Sequence, residues 1–482
     1  MADTLGKVLI RAAYALFFFW YVYAAAAYGL TRDSTLLVFE WGLGGTFVLW
    51  LIGHACARTW PRTGIWPWAL SAALLIFGWG VTLSGLFEDW LTGDSAPSWA
   101  TSFPDDWLTN WSTYDTQLSL AAMLRTSVLL AGMLMAIEIW GNLRSRKALL
   151  ATLVFSSLGM VIFFLLQRIV GPPFQLFSLD GKTPISFATY RYWGNAASYL
   201  NLFWPICVAI AVFAALRRTS AWPLWLIPAA GVFLACFLNV SKAGNVLAIV
   251  GAVLLFVLLL PIAARELRRL KRRIKPHFVL GALIPIFIVL LSVPFALPWK
   301  RWDYLADKST EGSSAAIRAS AYRAFYKMVP TAGWSGFGPG TFSKYYGHYV
   351  QDIEAVRKTP FWVAHEDYLQ TLIEWGYLGA ALWALLLVPP AFLLFRRSRL
   401  KLERPERVFE GYRITAFDYV KTFFAAMPSP REPCIAAGTF CAVVLTALHA
   451  FVDFPMQIAS LQFYFLTLLA LGWSYRTKEM EE

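Results

Sequence analysis

Long apolar segments separated by short polar ones recur along almost the whole chain. About 20 consecutive apolar residues are enough to cross ~30 Å of hydrocarbon as a helix. The pattern therefore predicts an all-α integral membrane protein, a single polytopic domain over 1–482, with about twelve transmembrane helices. Their expected bounds are 9–30, 36–57, 65–87, 116–140, 148–170, 192–215, 221–239, 243–262, 278–298, 369–395, 433–452 and 456–474.

Composition agrees with this prediction. Of the 482 residues, 58% are hydrophobic and only 15% are charged, whereas soluble domains have about 25% charged residues. The net charge of +13 does not indicate nucleic-acid binding, because the basic residues cluster between the apolar segments. The five cysteines stand singly in apolar surroundings, so we interpret them as packing residues.

The polar segments alternate in charge along the chain. Glu88–Asp115 contains six acids and neither Lys nor Arg. The alternate set of loops is basic and includes Arg144–Lys147, Arg265–Lys275 and Arg396–Arg407. Since basic loops remain in the cytoplasm, we expect both termini and the loop 396–432 to be cytoplasmic. The long loop 299–366, between the ninth and tenth predicted spans, is then periplasmic, and the protein lies in the inner (plasma) membrane.

The periplasmic loop should contain a helix that begins at Ser313 or Ser314 and that Pro330 ends. The spacing puts three side chains on one face and two basic ones on a neighbouring face: Arg318, Tyr322 and Phe325, then Arg323 and Lys327. An alternative interpretation is a surface helix whose basic residues touch lipid headgroups.

Four glycines follow this helix, at Gly333, Gly336, Gly338 and Gly340. Glycine-rich turns can bind phosphate, but the segment lacks both a preceding strand and the GK[ST] signature. We therefore expect a structural turn.

His365 stands at the outer end of the tenth span, beside Glu366 and Asp367. We expect it on the first turn of that helix, where the helix dipole disfavours imidazolium and leaves a neutral ring that can act as a base. A hydrogen-bonded structural histidine is the alternative. A metal site is disfavoured, because consecutive helical residues point about 100° apart. We predict neither a metal nor a cofactor.

Cations from distant segments lie on the same predicted side of the membrane as His365. The candidates for binding a phosphate headgroup are Arg191, Lys242, Arg318 and Arg323.

Four further polar residues have no assigned role: Arg125, Glu374, His449 and Asp453. Because Arg125 and Glu374 lie about two turns inside their spans, we expect each to have a partner or a function.

Five segments in this order resemble the O-antigen ligase/polymerase superfamily of bacterial membrane glycosyltransferases: "RYWGNAASYLNLFWP", "VSKAGNVLAIVG", "IRASAYRAFYKMVPTAGWSGFGPGTF", "AHEDYLQTLIEWGYLG" and "HAFVDFPMQIAS". The resemblance implies a GT-C-like helical fold and metal-free transfer of a glycan from undecaprenyl diphosphate to an acceptor hydroxyl, such as lipid A–core. It also implies that Arg191 and Arg318 bind the donor diphosphate and that His365 is the essential histidine. Lys242 stands where the family usually has Arg, and Glu366 where Asn or Ser is common.

Other functions remain open from the sequence. A polymerase of the same superfamily would join two lipid-linked repeat units, and similar scaffolds also transfer oligosaccharides to protein. A flippase or transporter of lipid-linked oligosaccharide belongs to another class, and the absence of internal repeats disfavours it.

Overall fold

The computed structural model describes residues 2–92, 113, 115–170, 187–217, 222–239, 241–269, 314–351, 353, 361–400, 429 and 432–479. Throughout these residues the regular secondary structure is helical, apart from one isolated bridge between Phe187 and Tyr190. The helices are α1 Ala2–Ala26, α2 Asp33–Ala57, α3 Ile65–Thr92, α4 Thr116–Gly141, α5 Leu143–Val170, α6 Trp193–Leu216, α7 Leu226–Leu238, α8 Lys242–Arg269, α9 Ser314–Ala332, α10 Phe342–Tyr349, α11 Asp367–Ser398, α12 Pro433–His449 and α13 Ala459–Glu479.

Among the described helices, eight are long and apolar enough to cross a membrane: α1 to α6, α8 and α11. The apolar helix α12 is shorter, as is α7 together with the 3-10 turn before it. The chain is thus an integral membrane α-protein, as the hydrophobic pattern predicted. The predicted span 278–298, most of the loop 396–432, and residues 299–313, 352 and 354–360 of the loop 299–366 lie outside the described residues.

The helix α9 is longer than expected. It continues past Pro330 to Ala332, so the prediction that Pro330 ends it is wrong. A proline removes one hydrogen bond and its ring crowds the carbonyl four residues earlier, which can kink a helix without ending it. The helix instead ends at Gly333, whose φ of +59° is left-handed.

Glycines allow close helix packing in the bundle. A Cβ on Gly6 of α1 would lie 2.4 Å from the backbone nitrogen of Ala57 in α2. A Cβ on Gly438 of α12 would lie 2.8 Å from the carbonyl oxygen of Pro205 in α6. These backbones pack without an intervening side chain, which is how membrane helices maximise van der Waals contact.

Several segments that connect helices meet where α11 begins, and we call this end of the bundle the His365 end. The backbone nitrogen of Asp367 donates to Ala450, just after α12, at 2.8 Å. At the same end the Ser460 hydroxyl of α13 donates to Gly29, just after α1, at 2.6 Å. The opposite end has its own buried hydrogen-bonded pair, in which His54 Nε2 lies 2.9 Å from Glu138 Oε2. The topology therefore gathers the motif segments at one end.

Candidate active site

His365 lies just before α11 rather than on its first turn, so the expected location is wrong. Glu366 is the N-cap, and its carboxylate accepts a hydrogen bond from the backbone nitrogen of Leu369. His365 precedes this cap with a left-handed φ of +57°. The capping carboxylate satisfies a free N–H of the first turn, and the helix begins at Asp367, directly after the cap. The Tyr322 hydroxyl of α9 donates to the His365 carbonyl at 2.7 Å and so fixes this conformation.

The His365 ring contacts a carboxylate and two aromatic rings. Its Nδ1 lies 3.3 Å from Asp453 Oδ1, and the Phe454 ring packs edge-on at 4.7 Å. Because an ionised carboxylate can only accept, this contact assigns the ring proton to Nδ1. In the neutral ring Nε2 then carries the lone pair, and the side chain is 22% exposed. A neutral ring held in this way can act as a base toward a reactant that reaches it.

Asp453 connects several side chains in this site. The Tyr192 hydroxyl donates to both of its carboxylate oxygens, at 3.2 and 3.3 Å. Its Oδ2 also lies 3.8 Å from Nε2 of the fully buried His449. The other nitrogen of His449 contacts the Ser198 hydroxyl at 2.7 Å. The carboxylate is thus held by Tyr192, which directly precedes α6, and lies close to the last residue of α12 while it contacts His365.

Arg318 reaches the same cluster from α9. Its Nη1 donates to the Val452 carbonyl at 3.3 Å. Burial raises the pKa of Tyr192 and Asp453 raises it further, whereas the hydrogen-bonded Arg318 guanidinium opposes the rise. Burial likewise raises the pKa of Tyr322 to about 12, again against the Arg318 charge. Both phenols therefore keep their protons and act as donors, with Arg318 beside them.

Of the three other predicted cations, two lie at the His365 end of the bundle and one lies on a different face of α9. Arg191 is exposed and directly precedes Tyr192. Lys242 is exposed at the start of α8, where the Asn239 side chain, just before it, donates to the Trp193 carbonyl at 2.9 Å. Both therefore lie at the His365 end. Arg323 is exposed, but it lies about 140° around α9 from Arg318, away from the face that contacts the His365 segment.

The two acids after His365 have separate partners. Glu366 caps α11; burial raises its pKa, and two backbone N–H groups oppose the rise. Asp367 accepts from the Met456 backbone at 2.8 Å and from the Gln457 side chain at 3.2 Å. The two consecutive acids therefore stabilise two different backbone segments, the start of α11 and the segment after α12, and do not converge on a single ligand site.

Arg125 and Glu374, the two charged residues expected inside the spans to need a partner, each have one in the structure. Arg125 of α4 contacts Glu40 of α2, with Nε 3.3 Å from Oε1. The Glu374 carboxylate accepts from the backbone nitrogens of Gly340 and Phe342, at 3.0 and 3.3 Å. The glycine segment is therefore a structural turn, as predicted, since a carboxylate of the chain itself occupies these two N–H groups.

Sequence reasoning named Arg318 and His365 but assigned no role to Asp453 or His449. One signal could have indicated them: the i, i+4 spacing of the two at a helix end brings their side chains together. Nothing in the local sequence pairs Asp453 with His365, which is 88 positions away.

Comparison with known proteins gives one family. A family model described as "O-Antigen ligase" matches residues 194–384, which include Lys242, Arg318 and His365. No curated protein matches the chain. The matched region runs from the start of α6 into α11 and contains the helix α9 and the glycine turn. Residues 194–384 of the chain are thus similar to the O-antigen ligase family.

Proposed function

We propose that the protein is an O-antigen ligase-like glycosyltransferase, which moves a glycan from undecaprenyl diphosphate to a hydroxyl of lipid A–core. The observation that carries the proposal is the meeting of Arg318 and His365, from separate segments, around the Asp453 carboxylate. The matched family supports a membrane glycosyltransferase of ligase or polymerase type. The proposal includes a GT-C-like bundle of twelve spans, cytoplasmic termini and a periplasmic His365 end. The alternation of charged loops supports this orientation in the membrane.

The reaction requires one base and a means of stabilising the leaving group. His365 Nε2 accepts the proton of the acceptor hydroxyl as its oxygen attacks the anomeric carbon. The bond from that carbon to the diphosphate oxygen breaks, and undecaprenyl diphosphate leaves with the electron pair. Arg318, Arg191 and Lys242 neutralise the charge that grows on the diphosphate. One direct displacement inverts the anomeric carbon.

Asp453 prepares His365 for this step. Its carboxylate accepts from Nδ1, which directs Nε2 toward the acceptor, and it stabilises the imidazolium that forms. The Tyr192 hydroxyl holds the carboxylate in place. The lipid tail of the donor can remain in the bilayer, because the site lies at the ends of the helices.

A reconstituted transfer assay tests the proposal. Purified protein is mixed with a lipid-linked glycan donor and one of two acceptors, lipid A–core or a second lipid-linked repeat unit. We expect inverted product on lipid A–core, and the same rate with EDTA, since the scheme uses side chains alone. Product only on the second donor would identify a polymerase. Loss of activity with EDTA and its return with a divalent cation would contradict the metal-free scheme.

Asp453→Asn removes the charge beside His365 and keeps the size of the side chain. We expect the transfer rate to fall by about 10² to 10⁴, because the imidazole loses its orienting carboxylate. Donor binding, measured separately by titration, should stay near normal.

Asp367→Asn is the matched control for that variant. It changes a buried carboxylate that contacts the same segment after α12 but makes its contacts to Met456 and Gln457. We expect a lower thermal stability and a transfer rate per folded molecule within a few-fold of the unmodified protein. Equal losses of rate in the two variants would show that Asp453 acts only through folding.

A further inference from the structure

The membrane helix α11 is interrupted two turns after its start. Gly376 has φ +62° and ψ −173°, which breaks the helical hydrogen-bond pattern. The turn that follows α9 packs against this break and forms four backbone hydrogen bonds with it. The N–H groups and the carbonyls that accept from them are Phe337 to Ile373, Gly338 to Glu374, Tyr377 to Gly333 and Leu378 to Trp334. We call this joint of 333–342 with 373–378 the glycine clip. It satisfies backbone groups that a broken membrane helix would otherwise leave unpaired.

Two glycines make the glycine clip possible. A Cβ on Gly336 would lie 2.2 Å from the Glu374 carbonyl oxygen. A Cβ on Gly376 would lie 2.4 Å from the Trp334 carbonyl oxygen. Each also has a left-handed φ, which a side chain disfavours. The two backbones can therefore approach only where glycine stands on both.

The Glu374 side chain forms hydrogen bonds at the Gly340–Phe342 end of the glycine clip. The residue is 5% exposed. One carboxylate oxygen accepts from the Gly340 nitrogen at 3.0 Å. The other accepts from the Phe342 nitrogen at 3.3 Å and from the Gln370 side chain at 2.9 Å. Both carboxyl oxygens of Glu374 therefore act as acceptors, toward three donors in all.

We propose that Glu374 is a positioning residue that holds the Arg318 helix in register with His365. The helix α9 ends at the clip, and its middle is attached to the His365 carbonyl through Tyr322. Through the clip and through Tyr322, α9 is attached both to α11 and to the residue before its cap. The same helix therefore supports α9 and the segment that contains His365. The catalytic part of this inference rests on the proposed function, whereas the clip itself can be measured without any transfer assay.

Glu374→Gln tests the role, because the amide keeps the shape but turns an NH₂ group toward a backbone N–H. We expect faster amide hydrogen exchange in 333–342, with exchange in α12 unchanged. A displacement of about 1 Å between Arg318 and His365 would lower the transfer rate by roughly 10². In an Arg318→Ala background the same change should cost only a few-fold, since coupled residues are not additive. If Glu374→Gln does not fold, Gln370→Ala tests the clip by the same exchange in 333–342, although it removes both one donor to Glu374 and the acceptor of the Ala364 nitrogen.

Glu138→Gln is the matched control. Glu138 is a buried carboxylate of the bundle near its opposite end, where it accepts from Trp50 at 2.8 Å. We expect a lower thermal stability, with exchange in 333–342 and the rate per folded molecule unchanged. Unchanged exchange in 333–342 of Glu374→Gln would overturn the clip, whether or not transfer is detected. Faster exchange with a full transfer rate, or full additivity with Arg318→Ala, would overturn the positioning role. A wild-type protein without transfer activity would overturn the proposed function instead.

Discussion

His365→Gln is expected to lower the transfer rate by about 10² to 10⁴, the usual contribution of a positioned general base. Glutamine keeps a hydrogen-bonding side chain beside Asp453 but cannot accept a proton at neutral pH. His365→Ala should be about as slow. Donor binding should stay nearly normal in both variants, because the diphosphate is assigned to the cations. The rate and the donor affinity are measured separately on purified protein.

His348→Gln is the control for this substitution, because His348 is an exposed histidine on α10 of the same segment. Its transfer rate should remain within a few-fold of normal, as for most surface substitutions. Near-normal turnover in His365→Gln would show that the histidine only positions the acceptor. The base would then have to be another group.

Arg318→Lys is expected to lower the transfer rate by about 10² to 10³, the loss that follows removal of one transition-state donor. Lysine keeps the positive charge but loses the planar fork that binds two phosphate oxygens. The shorter reach also loses the contact with the Val452 carbonyl. Because the charge on the diphosphate grows as the bond breaks, turnover should fall more than donor binding.

Lys327→Ala provides the comparison, since it removes an exposed charge from the same helix. We expect a small effect on both turnover and donor binding. Arg323→Lys in the same assay measures whether the neighbouring face of α9 takes part in binding the diphosphate. Equal rates for Arg318→Lys and the unmodified protein would remove Arg318 from the transition state and leave it a role in packing.

The helices of this protein were largely predictable from its sequence. A segment such as Trp193–Leu216 must be helical in hydrocarbon, because no water satisfies its backbone. The glycine turn was also predictable in kind, since Gly336 and Gly338 adopt conformations that other residues avoid, whereas the break at Gly376 within the predicted span 369–395 was not. These features depend on neighbours in the chain or on the solvent, and both can be inferred from the order of residues.

Local sequence determined that His365 stands at a helix start, that Arg318 and Tyr322 share a face of α9, and that Glu374 needs a partner. Only the tertiary structure decided that Asp453 contacts His365, that Glu366 and not the histidine caps α11, and that Glu374 accepts from Gly340 and Phe342. Periodicity identifies which side of a helix is polar, but it carries no information about which other helix that side meets. That choice follows from the packing of the whole bundle, in which α6, α9, α11 and the turn after α12 are far apart in the chain and adjacent in space.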